Sequence, residues 1–133
     1  MIKIKKSGSS TTMRYQVKTI VQAIAYLLSK LPGETDKIKI VKLLYQADKY
    51  SLTRYCRTVT GDTVRHRGGS FVQNLLEKKS NNITPNEKKY FASLMERQGD
   101  IFKTRNAKCD FEMLSETDKK SLSETARIFR PRP

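Results

Sequence analysis

The chain is 133 residues long, a length that fits one domain with a modest core. Lysine and arginine number 27 against 13 acidic residues, a formal net charge of +14, which predicts attraction to polyanions or to an acidic protein face. No stretch approaches the roughly 18 consecutive apolar residues that a membrane span needs, so no membrane partner is expected.

The first residues, MIKIKKSGSSTTM, are basic and polar without an apolar h-region. Residues 1–14 therefore read as a flexible basic arm and not as a secretory signal, and 15–133 as one helical domain. Helical periodicity begins at Tyr15 and runs to Leu31, with Val17, Ile20, Val21, Ile24, Leu27, Leu28 and Leu31 on one side. Pro32-Gly33 ends it. Asp36 is placed to cap a second helix over Ile38 to Cys56.

Wound at about 100° per residue, that second helix collects Ile40, Val41, Leu44, Tyr45, Leu52 and Cys56 on one broad arc. Lys39, Lys42, Gln46, Lys49 and Thr53 take the opposite one. Asp48 falls within the apolar arc. An ionised carboxylate there is costly without donors, so Asp48 should meet backbone N–H groups or an arginine inside the fold. Direct contact with a partner is the other reading.

Thr58-Val59-Thr60 and Thr63-Val64 flank Gly61-Asp62. β-branched residues favour strands, and glycine first in a two-residue loop suits a type II′ turn, so a hairpin is expected here. Its valines would share one face, and Asp62 would stabilise the turn. A loop, Arg67-Gly68-Gly69-Ser70, leads to a short third helix over Phe71 to Lys79, broken by Ser80-Asn81-Asn82. Thr84, Pro85 and Glu87 spell a capping box for a fourth helix reaching about Arg97, with Tyr90, Phe91, Leu94 and Met95 as its apolar side. Gly99 to Asp110 carries no clear pattern. Ser115 caps a last helix with Asp118 at its third position and Leu122, Ala126 and Phe129 following; Arg130-Pro131-Arg132-Pro133 ends it. The expected class is mostly α, about five helices around one small hairpin.

Catalytic patterns are sparse. Cys56 and the single histidine, His66, have nothing to orient them as a nucleophile pair, and Cys56 reads as a buried small hydrophobe. Gly68-Gly69 lacks the lysine and spacing of a phosphate loop. There is no zinc pattern. Glu112, Glu116 and Asp118 suit a helix N-terminus without acid–base chemistry. Two isolated cysteines, Cys56 and Cys109, fit a reduced, cytoplasmic protein. The expectation is a non-enzymatic protein with no cofactor, no metal and no catalytic residue.

The segment KLLYQAD, Lys42 to Asp48, followed by Thr60-Gly61-Asp62 and later by LSETD, Leu114 to Asp118, resembles the Panacea domain, the SocA-like antitoxin family of bacteria and their phages. The resemblance covers about Asp36 to Phe129. It implies a helical fold in which Asp48, Gly61, Asp62 and Ser115 are structural positions. It also implies a cytoplasmic antitoxin that binds a cognate toxin protein encoded beside it, or an adaptor that delivers the toxin to the ClpXP protease. Arg67-Gly68-Gly69-Ser70-Phe71-Val72 stands where the family has a Tyr-Gly-Pro-Val segment, and the family continues past the last helix, so relative to it the 15–133 domain is C-terminally short.

Two function classes follow. One is a protein-binding antitoxin or adaptor. The other is a basic nucleic-acid-binding protein, suggested by charge and by the arginines around Tyr50, Tyr55 and Phe71. For either partner the contact candidates are Arg65, His66 and Arg67, then the lysine face of the second helix, Lys42 and Lys49.

Overall fold

The computed structural model describes residues 15–31, 34–60, 71–77, 83–105 and 109–129. In chain order these form α1 (Tyr15–Ser29), β1 (Thr35–Asp36), α2 (Lys37–Tyr55), α3 (Phe71–Leu76), α4 (Pro85–Leu94), β2 (Met95–Gln98), β3 (Ile101–Thr104) and α5 (Glu116–Phe129). The protein is mostly helical with a small antiparallel sheet of order β1-β3-β2.

α1 is the hub. Ile20, Val21, Ala23, Ile24, Ala25, Leu27 and Leu28 are all buried, an arc of more than half the circumference of the helix. An apolar arc that wide needs cover from several elements: α1 packs against α5, α4 and β3. α2 lies against α5 in the most extensive helix pairing of the fold. Phe102 on β3 is fully buried and meets Phe91 of α4 edge-on, with ring centroids 5.9 Å apart.

The helix starts follow their side chains. Asp36 Oδ1 accepts from the Lys39 N–H at 2.8 Å. Thr84 and Glu87 form a reciprocal capping box, with Pro85 at the first helical position. Ser115 and Asp118 do the same for α5: the Asp118 N–H donates to Ser115 Oγ at 3.1 Å and the Ser115 N–H to Asp118 Oδ2 at 2.9 Å. Each box satisfies N–H groups that the first helical turn would otherwise leave without partners.

Three expectations need correction. The first is the second helix's apolar arc. Ile40, Leu43, Leu44, Ala47, Asp48 and Ser51 face inward, while Tyr45, Leu52 and Cys56 are exposed. α5 packs against α2, and the buried face is rotated away from the arc that hydrophobicity alone selects. Cys56 is the left-handed C-cap of α2, at φ 62°, and not a core residue.

The second concerns the hairpin. Thr58 to Thr60 is irregular chain rather than strand, because the successive N–H groups of Val59 and Thr60 both turn onto Asp48 instead of onto a partner strand. Gly61, Asp62, Thr63 and Val64 lie outside the described residues. The hairpin among the described residues is β2–β3, where Gln98 pairs with Ile101 across Gly99-Asp100. Gly99 has φ +65° and Asp100 does not, as a type II′ turn requires. It is a Gly-Asp turn of the expected kind, placed in the segment that showed no pattern.

The third is the fourth helix. It stops at Leu94 rather than Arg97, and Met95 enters β2 with extended backbone at φ −137° and ψ 145°. Arg97 does not continue the helix. It donates through Nη2 to the Leu76 carbonyl at 2.6 Å and through Nε to the Gly99 carbonyl at 3.1 Å, fastening the hairpin to the end of α3.

Candidate functional site

α2 holds the residues of interest on two opposite sides. On the inner side sits Asp48, only 3 % exposed. The N–H groups of Val59 and Thr60 donate to its Oδ1 at 2.8 and 3.0 Å, and the Thr60 hydroxyl donates to Oδ2 at 2.6 Å. One turn on, the Ser51 hydroxyl donates to the Arg57 carbonyl at 2.6 Å. The Arg57 guanidinium in turn approaches Asp118 of α5, at 3.8 Å. Residues 56–60 are thereby stitched to α2 by Asp48 and Ser51, and to α5 by Arg57. Among the described residues, the backbone N–H groups of Val59 and Thr60 are what the structure places on Asp48 Oδ1. Asp48 and Ser115 are thus both hydrogen-bonded within the fold, Ser115 at the start of α5.

The seam between α2 and α5 continues with Asp118, Ser121 and Thr125, all buried. Not every polar atom in it is satisfied: Asp118 Oδ1 and Ser121 Oγ have no hydrogen-bond partner. A second buried polar link crosses α1. The Gln22 amide donates to the Tyr90 hydroxyl at 2.9 Å, and its carbonyl oxygen accepts from the Met113 N–H at 2.9 Å. Burial at this link raises the Tyr90 phenol above its ordinary pKa.

The outer side of α2 is the reverse. Ile38, Tyr45 and Leu52 recur two helical turns apart and stand exposed. Lys42 and Lys49 run beside them, also exposed. The Lys49 ammonium lies 5.9 Å from the Tyr45 ring centroid, and the Arg54 guanidinium 4.8 Å from that of Tyr50. Towards α5 this side opens into a groove of about 380 Å³, walled by Lys49, Tyr50 and Arg54 on α2 and by Ile128 and Phe129 on α5. Ile128 is 53 % exposed and Phe129 43 %. Leu122 and Ala126 of the same helix are buried. On the groove's edge Arg127 holds Glu124 Oε1 through Nη2 at 2.7 Å and Nε at 3.1 Å, which lowers the Glu124 pKa and raises that of Arg127.

Of the contact candidates, Lys42 and Lys49 fall together on this outer side. Arg65, His66 and Arg67, like the turn residues Gly61 and Asp62 and the arm 1–14, lie outside the described residues. The sequence reading missed Ile128 and Phe129. Their exposure depends on where α5 leaves the core, which periodicity does not report.

A second cavity, of about 350 Å³, lies between α3 and α4, over Leu75, Ile83, Phe91 and Met95. Its arginines are already engaged: Arg97 with carbonyls as above, and Arg105 with the Ala92 carbonyl at 2.6 Å and with Glu96. No group of three or more His, Cys, Asp or Glu able to hold a metal ion occurs among the described residues. None of the described helices is long and apolar enough to cross a membrane.

What these features define is a mostly helical domain with a basic, partly apolar outer face. No family model, curated protein or solved structure matches the chain.

Proposed function

We propose that this protein is a non-enzymatic, antitoxin-like binder that neutralises a cognate toxin protein in a bacterial or phage setting, or passes that toxin to the ClpXP protease as an adaptor. The observation that carries the reading is the division of labour on α2. The residues through which the chain resembles the Panacea family, Asp48 of α2 with Thr60 in the chain after it and Ser115 with Asp118 at the start of α5, are taken up in building the fold. The outward side chains, Ile38, Tyr45, Leu52, Lys42 and Lys49, stand exposed, and the Lys49–Tyr45 contact lies within the row itself. An apolar row beside a cationic row suits protein recognition, where apolar anchors supply affinity and charges set approach and register.

Co-expression with the product of the adjacent open reading frame tests this. If that product is the toxin, growth is rescued and the two proteins co-purify; no rescue and no complex would sink the proposal.

The net charge of +14 favours one other reading, binding of nucleic acid. It requires retention on DNA or RNA that weakens steeply with salt. With Arg65→Glu and Arg67→Glu the log–log salt slope would become shallower by up to about two units, one per phosphate contact removed. A shallow slope in the wild type rules this reading out.

A further inference from the structure

The groove between the second half of α2 and the end of α5 has a composition that narrows what it can take. Tyr50, Ile128 and Phe129 give it apolar surface, and Lys49 and Arg54 stand on its wall. None of its described lining residues is acidic. Glu124 on α5 is held by Arg127, and its pKa is lowered further by Arg54. Two arginines thus act on that one carboxylate, and Lys49 stands beside the Tyr45 ring, so among the described residues the wall keeps a net positive charge.

On this basis, and resting on the partner-binding reading above, we infer that the groove is the docking site for an acidic segment of the partner protein, one that seats an apolar side chain against Ile128 and Phe129 and sets carboxylates against Lys49 and Arg54. A second copy of this chain does not suit the groove, because each copy carries +14 and the like charges would repel. Phosphates alone do not suit it either. They would meet the two cations but leave the exposed isoleucine and phenylalanine against water, whereas an apolar anchor removes that surface from water.

The test uses the full chain and three labelled probes in fluorescence anisotropy: an amphipathic peptide of leucine and glutamate, polyglutamate of the same length, and a single-stranded oligonucleotide. The leucine-containing peptide should bind about tenfold or more tighter than polyglutamate. Lys49→Glu with Arg54→Glu, and separately Ile128→Ser with Phe129→Ser, should each weaken it by about tenfold or more. All four side chains are at the surface, so melting temperatures should hold, and Lys103→Glu with Lys120→Glu serves as a charge-matched control that should bind nearly as wild type. Equal affinity for polyglutamate, an equal loss in the control variant, or preference for the oligonucleotide would each overturn the inference. The co-purification experiment separates the two levels. If the adjacent gene product binds wild type and groove variants alike, the groove is wrong while the partner-binding reading stands. If no adjacent product binds but the peptide results hold, the groove stands without the antitoxin identity.

Discussion

The two sides of α2 invert the ordinary amphipathic pattern, at one acid inside and at three apolar residues outside. Inside, among Leu43, Leu44 and Ala47, sits the carboxylate of Asp48. Outside, beside Lys42 and Lys49, stand Ile38, Tyr45 and Leu52. The inner exception is fully answered by the fold: three donors converge on one carboxylate and fix the chain at Val59 and Thr60. The outer exceptions are left unanswered by it. A buried carboxylate without donors is costly, so those of Asp48 are built in. An exposed apolar group costs the folded chain little, so it can be kept for another molecule. The comparison separates residues that make the fold from residues that are free to make a contact.

Substitutions along and around the helix can break that division. The largest loss is expected from Leu44→Ala on the inner side: about 2–5 kcal/mol, the removed side chain's transfer energy plus the cavity it leaves. Chemical denaturation measures it, and a midpoint near wild type would mean that the α2–α5 interface collapses around the gap. Asp48→Ala comes next, at about 1–3 kcal/mol, because two N–H groups and a hydroxyl lose their acceptor while still buried. Asp48→Asn should lose less, since one carbonyl oxygen remains to accept from Val59 and Thr60; equal losses for the two variants would show that the negative charge, and not the acceptor geometry, holds the loop.

Ser121→Ala sharpens the point with a polar atom that has no partner. Removing an unsatisfied hydroxyl should leave stability unchanged or raise it by up to about 1 kcal/mol. A clear destabilisation would reveal a hidden acceptor for that hydroxyl. The smallest effect is expected on the outer side: Leu52→Ala should shift stability by no more than about 0.5 kcal/mol. If Leu52→Ala costs as much as Leu44→Ala, the outer row belongs to the fold and the division fails.

Much of the fold was legible because local chemistry specified it. Asp36, Thr84 with Glu87, and Ser115 with Asp118 announce their helix starts within a four-residue window, and all three caps form. The inward side of α1 was equally plain, since so broad an apolar arc has to be covered by the rest of the chain. The β2–β3 hairpin was less so. Its strands read Met-Glu-Arg-Gln and Ile-Phe-Lys-Thr, with few β-branched residues, and only the Gly-Asp turn marked it. The Thr-Val-Thr run that looked more like a strand bends instead, because Asp48 competes successfully for its N–H groups.

The candidate site was only half visible. Lys42 and Lys49 could be placed on a lysine face from spacing alone, and Asp48 could be set on the inner side with a demand for donors. That Tyr45 and Leu52 point outward, and that Ile128 and Phe129 emerge beside Lys49 and Arg54, depended on how α5 lies across α2. By itself the sequence determined which segments are helical, where they begin, that one buried acid needs donors, and that the surface is cationic, because caps, periodicity and charge act over a few residues. Which side of α2 is covered, which donors Asp48 finds, and which apolar side chains are left in water were decided by the tertiary structure. Those outcomes turn on the angle and register of helix packing between residues far apart in the chain, and no local pattern encodes them.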